Sequence, residues 1–232
     1  IAYASSEASF STSGQIIQKQ SIFLKPDGTR FYITAPNSVS VLQYSLTNSW
    51  AIATASYDGI SRAVAVLGTP GRGLFFKPDG TRLFTGHSTP AGIVQWDLAT
   101  PWDISSLSGS LSSGAPSSEV GITSIFFKPD GTRLYILEGG INSNRRKVHE
   151  FNVSSAWHIT TMSATAMTFK FLGETISPFG LSFRRDGRKM YVADVASSTI
   201  YQYNLSEPWD LTAADYDYAS FSVSSFDVNP TD

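Results

Sequence analysis

The sequence predicts an all-β protein: a four-bladed β-propeller of four-stranded antiparallel blades, with a surplus terminal strand. Three observations predict it. A turn of the form "KPDGT" recurs with its glycine at Gly28, Gly80, Gly131 and, as "RRDGR", Gly187, at steps of 52, 51 and 56 residues. A tryptophan keeps nearly the same step at Trp50, Trp102, Trp157 and Trp209, in "NSWAI", "TPWDI", "SAWHI" and "EPWDL". Between these markers apolar residues alternate or form short runs broken by turn residues, which is the pattern of strands. A fixed period of this size marks an array whose units cannot bury their own faces alone.

The chain of 232 residues is read as one domain over 1–232, with units at about 15–67, 68–114, 115–172 and 173–227. In the second unit "GLFFKP" (73–78) is the first strand, "TRLFTG" (81–86) its hairpin partner, "GIVQWDL" (92–98) the third and "GSLSSG" (109–114) the fourth. The first unit gives "SIFLKP", "TRFYITA", "SVLQYSL" and "SRAVAVLG". The third gives "SIFFKP", "TRLYILE", "KVHEFNV" and "TAMTFKFLG", and the fourth "GLSFRR", "RKMYVAD", "STIYQYNL" and "ASFSVSS". The "KPDGT" stretch is the hairpin connector. Proline presets φ, aspartate bonds backbone two residues on, and glycine takes the positive φ that closes the turn. Four-stranded units of this length in tandem make propeller blades.

"ASFSTSG" (8–14) repeats "ASFSVSS" (219–225), so five fourth-strand segments serve four sets of the other three. The N-terminal copy is expected to close the ring or to be exchanged. One copy then lacks a seat in its own chain, and an unpaired strand is a template for another molecule. Other copies of the same chain, joined head to tail through terminal strands, are therefore the expected partners.

The stretch "PFGLSFRRDGRKMYVADVASSTIYQYNL" (178–205) resembles the YVTN/NHL-type bacterial propeller repeats, and the resemblance extends over all four copies, residues 8 to 227. It implies the architecture. It leaves function open, because that repeat type occurs in surface-layer proteins, binding scaffolds and lactonases.

Composition removes several classes of function. Seventeen Lys and Arg against 19 Asp and Glu leave a net charge of −2, which disfavours nucleic acid and anionic membranes as partners. Without cysteine there are no disulfides, thiolate metal sites or cysteine nucleophiles. No apolar run is long enough to cross a bilayer. A chain beginning at Ile1 reads as a processed or excised form. Abundant Ser, Thr, Asn and Gly with 16% charged residues points to an extracellular or cell-surface location.

Candidate chemistry sits at the end of the second strand of each unit, where Ala35, His87, Glu138 and Asp194 are equivalent. A His, a Glu and an Asp around one face form a candidate divalent-metal or acid–base set. His149 and His158 have no matched partners. Lys25, Lys77, Lys128 and Arg184 form a second ring, read as partners of the turn aspartates or as an anion-binding ring. Trp50, Trp102, Trp157 and Trp209 are capping aromatics at blade edges or platforms for stacking sugars. Asn152 ("NVS") and Asn204 ("NLS") fit the glycosylation acceptor pattern. No nucleophile-elbow, zinc-protease or phosphate-loop motif occurs, and no cofactor is expected. The expectation is a non-enzymatic extracellular scaffold, a fibre-forming cell-surface subunit assembled by strand exchange. A carbohydrate-binding propeller is one alternative. A lactonase-like hydrolase with chemistry around His87, Glu138 and Asp194 is the other.

Overall fold

The computed structural model describes residues 9–15, 21–35, 39–64, 69–89, 91–114, 121–139, 146–163, 167–171 and 173–224. These form four antiparallel four-stranded blades arranged as a four-bladed β-propeller. Blade one is β1 (Ser21–Leu24), β2 (Arg30–Ala35), β3 (Ser40–Leu46) and β4 (Ala55–Ala63). Blade two is β5 (Thr69–Phe76), β6 (Arg82–Thr89), β7 (Ala91–Leu98) and β8 (Leu107–Gly114). Blade three is β9 (Ile122–Phe127), β10 (Arg133–Glu138), β11 (Lys147–Asn152) and β12 (Met167–Lys170). Blade four is β13 (Pro178–Phe183), β14 (Lys189–Asp194), β15 (Thr199–Leu205) and β16 (Ala214–Ser222). Helix is confined, among the described residues, to single 3-10 turns that follow the tryptophans.

The glycine and tryptophan repeats are two halves of one device. In the turn of blade two, Gly80 N–H bonds the Lys77 carbonyl at 2.8 Å, and Asp79 accepts from the Thr81 amide and hydroxyl at 3.0 and 2.6 Å. Gly80 has φ 75°, and its own carbonyl accepts from the Trp102 N–H at 3.0 Å. The indole then lies flat on the glycine, so that a Cβ there would come within 2.4 Å of the ring. The same contact recurs at Gly131 with Trp157 and at Gly187 with Trp209. Each tryptophan also takes positive φ, 65–67°, which turns the chain back toward its own third strand.

Tryptophan, 3-10 turn and first strand of one blade pack against the preceding blade. The Trp102 carbonyl accepts from Arg30 and Tyr32 of blade one, and the Trp209 carbonyl accepts from Arg133 and Tyr135 of blade three. Arg82 serves Trp157 at 2.9 Å, with Phe84 in the tyrosine position. Beside this hook a third-strand side chain receives the first N–H of the next 3-10 turn: Gln43 from Ile104 at 3.1 Å, Gln95 from Ile159 at 3.3 Å and Glu150 from Leu211 at 2.9 Å. Three apolar clusters fill the joints. Tyr32, Phe76 and Ile104 lie between blades one and two, Phe84, Phe127 and Ile159 between two and three, and Tyr135, Phe183 and Leu211 between three and four.

Three of the fourth strands, β4, β8 and β16, begin earlier than the sequence pattern places them. "SRAVAVLG" and "ASFSVSS" overlap only the ends of β4 and β16, because the 3-10 turn delivers the chain directly opposite the third strand, Ala55 facing Leu46 and Ala214 facing Leu205. Outer strands are largely exposed, so they carry little apolar signal. Bulges with positive φ at Gly59, Gly109 and Tyr218 break the alternation that remains.

The C-terminal copy is seated in a sheet, whereas the described residues of the N-terminal copy, 9–14, join none. The C-terminal copy ends β16, with Phe221 opposite Ile200. The N-terminal copy lies against blade one, where Phe10 meets Tyr44 edge-on at 5.8 Å and 75°. Phe169 of blade three meets Tyr203 of blade four in the same way, at 5.5 Å and 76°. Phe10 therefore fills the slot that the outer strand of a preceding blade fills elsewhere. Ser11 and Ser13 even repeat the 2.9 Å hydroxyl pair of Ser222 and Ser224.

Candidate functional site

Ala35, Glu138 and Asp194 close their second strands, His87 lies two residues before the end of β6, and all four are buried. They are not brought into one cluster: among the described residues no three His, Asp or Glu side chains gather at metal-holding distance. Each is tied locally instead. His87 Nε2 meets the Thr85 hydroxyl at 3.1 Å, which itself accepts from the Trp96 indole at 3.2 Å. Burial lowers the His87 pKa to about 4, so the ring is neutral at neutral pH. Asp194 accepts from the Ile176 and Ser177 amides, both at 2.6 Å, and from the Ser197 amide and hydroxyl at 2.9 and 3.0 Å. Those bonds consume the carboxylate in holding two loops.

Glu138 is different. Its Oε2 lies 3.0 Å from His149 Nε2 and 3.1 Å from Lys147 Nζ. On the far side of the ring, His149 Nδ1 lies 3.1 Å from the hydroxyl of Thr168, an exposed residue on β12. The strands make this line by register. Glu138 faces Lys147 and Ile136 faces His149 across β10 and β11, which sets Glu138 diagonal to His149 on one face. Thr168 faces His149 across β11 and β12. A carboxylate can only accept, so Nε2 carries the proton and Nδ1 presents its lone pair to the hydroxyl. The arrangement is a carboxylate-oriented imidazole with a free basic nitrogen aimed at a hydroxyl. The sequence reading left His149 unmatched. The signal that finds it is the hairpin register, counted back from Glu138.

The other candidates have plain positions. Lys25, Lys77, Lys128 and Arg184 each pair with the aspartate of their own turn, at 2.6–2.7 Å. Those hydrogen bonds, with the Thr bonds, hold Asp27, Asp79 and Asp130 near pKa 2. Trp157 and Trp209 are wedged between blades at 8% and 7% exposure, whereas Trp50 is 60% exposed. Asn152 and Asn204 are exposed at the ends of third strands, and Asn204 accepts from Lys189 at 2.8 Å.

Fold and blade joints define a β-propeller, and solved structures agree. No protein-family model and no curated protein matches the sequence, so the YVTN/NHL likeness stays one of motifs. A protein of Bacteroides uniformis provisionally named a 6-phosphogluconolactonase superposes with TM-score 0.57 at 16% identity, over 88% of this chain and 55% of that one. The Bacteroides fragilis counterpart of the same provisional name gives the same figures. A periplasmic gluconolactonase of Pseudomonas aeruginosa superposes with TM-score 0.55 at 17% identity, over 85% of this chain and 52% of that one. The chain spans about half the length of these structures. At such identity the likeness shows the fold. It also overturns the expectation of a non-enzymatic scaffold, since propellers of this shape carry the names of lactone-hydrolysing enzymes. No helix among the described residues is long and apolar enough to cross a membrane.

Proposed function

We propose that the chain forms part of a propeller hydrolase that opens sugar lactones, with His149 as the general base. The observation that carries the reading is the hydrogen-bonded line Glu138–His149–Thr168. Glu138 fixes the tautomer and stabilises the imidazolium that forms, and Lys147 pairs with the same carboxylate oxygen at 3.1 Å. His149 Nδ1 takes a proton from a water, or from the Thr168 hydroxyl, as that oxygen attacks the lactone carbonyl. The ring C–O bond then breaks, and the imidazolium returns its proton to the departing ring oxygen. With water as nucleophile the product is the open hydroxy acid directly; with Thr168 an ester forms first and a water releases it.

The names of the similar folds support lactones as the substrate class. An exported location belongs to the same reading, supported by the Ser, Thr and Asn bias and by the periplasmic setting named for one neighbour. The test is acid release from glucono-δ-lactone, followed with a pH indicator against the spontaneous rate. The wild-type chain is expected to accelerate ring opening and His149→Ala to lose about 10²–10⁴-fold of it. A rate equal to background, or one indifferent to His149→Ala, refutes the proposal.

A further inference from the structure

Three blade joints are built from one set of parts, and among the described residues the same parts stand unpaired across a joint at both ends of the array. On the trailing face of blade four, Tyr191 stands where Tyr32 and Tyr135 bind a tryptophan carbonyl, and its hydroxyl has no hydrogen-bond partner among the described residues. Gln202 stands where Gln43 stands. Both donate through Nε2 to an aspartate, Asp58 for Gln43 and Asp217 for Gln202. Gln43 Oε1 receives the N–H of the next 3-10 turn, whereas no described N–H reaches Gln202 Oε1. Ile200, 38% exposed, occupies the position of the fully buried Val41, Ile93 and Val148. An open groove of about 180 Å³ runs between Tyr191, Ile200, Gln202 and Phe221.

The leading face of blade one carries the other half. Trp50 has the hook conformation, φ 65°, yet no described side chain reaches its carbonyl. The Ile52 N–H, which opens the 3-10 turn, has no acceptor among the described residues. Ile22 is 54% exposed where its equivalents Leu74, Ile125 and Leu181 are buried. Leu24 is likewise exposed, where Phe76, Phe127 and Phe183 are buried.

We infer that the leading face of blade one docks on the trailing face of blade four of a second copy of this chain. The Trp50 carbonyl would meet Tyr191 and Lys189, the Ile52 N–H would meet Gln202 Oε1, and Ile22 and Leu24 would cover Ile200. Hydrogen-bond polarity, apolar area and backbone conformation match because equivalent halves are already paired within the chain, the tyrosine hydroxyl twice and the Gln or Glu acceptor three times. Two copies meeting at both faces bring eight blades, within the roughly four to eight that propellers use. One element opposes the docking: Phe10 holds the slot on Tyr44 that Phe221 of the incoming blade needs. The N-terminal segment is thus a plug that competes with the second copy.

Sedimentation of the full chain from about 1 to 100 µM tests this. The expected result is a concentration-dependent species of twice 25.2 kDa. Phe10→Ala should tighten association at least tenfold, and Ile200→Asp, at a side chain exposed in the single copy, should abolish it with an unchanged melting temperature. A single 25.2 kDa species throughout for both wild type and Phe10→Ala overturns the inference, as does association that Ile200→Asp leaves intact. Neither readout depends on lactone turnover.

Discussion

Replacing Gly131 by alanine should cost about 3–5 kcal/mol, and replacing Gly28 should cost only about 1–2 kcal/mol, although the two turns are almost identical in sequence. Both glycines have positive φ, 75° and 71°, so each alanine carries the same left-handed backbone penalty of about 1–2 kcal/mol. In both a Cβ would lie about 2.5 Å from an indole, so the ring must move. What the ring loses differs. Trp157 sits with its centroid 5.2 Å from Phe127 and 6.4 Å from Phe84 in the joint between blades two and three. Displacing it forfeits a good part of the 3–5 kcal/mol that truncating a buried aromatic costs, roughly 2–3 kcal/mol. Trp50 is 60% exposed and can swing into water at little cost. Urea unfolding at a concentration that keeps the chain monomeric measures both. Equal losses for the two variants, or a Gly131→Ala loss under about 2 kcal/mol, would refute the account of the hook.

Other outcomes follow from the same geometry. His87 is neutral when folded, with its pKa lowered to about 4 against 6.5 when unfolded, so the unfolded chain binds a proton that the folded one refuses. Stability should fall by roughly 3 kcal/mol as pH drops from about 6.5 to 4 and level off below, and His87→Gln should flatten that slope in pH-dependent urea melts. Glu150→Ala leaves the Leu211 N–H without its acceptor and Arg133 without its carboxylate, so it should cost about 3 kcal/mol, and Glu150→Gln should recover most of that loss in thermal unfolding. Asp194→Ala removes the acceptor of three amides and should open the loops before β13 and after β14. Limited proteolysis should then cut near residues 176 and 197 in the variant and spare the wild type.

Much of this molecule is written locally. The turn is legible because proline, aspartate and glycine each set one backbone feature within five residues. The tryptophan period is legible too, but its cause is not, since the indole's seat on its own turn glycine appears only when the third strand has run its length. Fourth strands are blurred because they are exposed and bulged. The line of Glu138, His149 and Thr168 joins three strands, and equivalence between units hides it: His87 and Asp194 share a repeat position with Glu138 yet lie apart from it, while the true neighbour is fixed by cross-strand register. Phe10 shows the same limit. Its likeness to Phe221 is plain in "ASFSTSG", but that it plugs the face of blade one depends on Tyr44, 34 residues further on.

The most direct test of the central claim, a wheel whose three joints are made and whose fourth is open among the described residues, is amide hydrogen exchange of the dilute monomer. The Ile104, Ile159 and Leu211 amides, bonded to Gln43, Gln95 and Glu150, should exchange only with opening of their joints. The Ile52 amide should exchange at least a hundredfold faster. Protection of Ile52 equal to that of the other three would contradict the account.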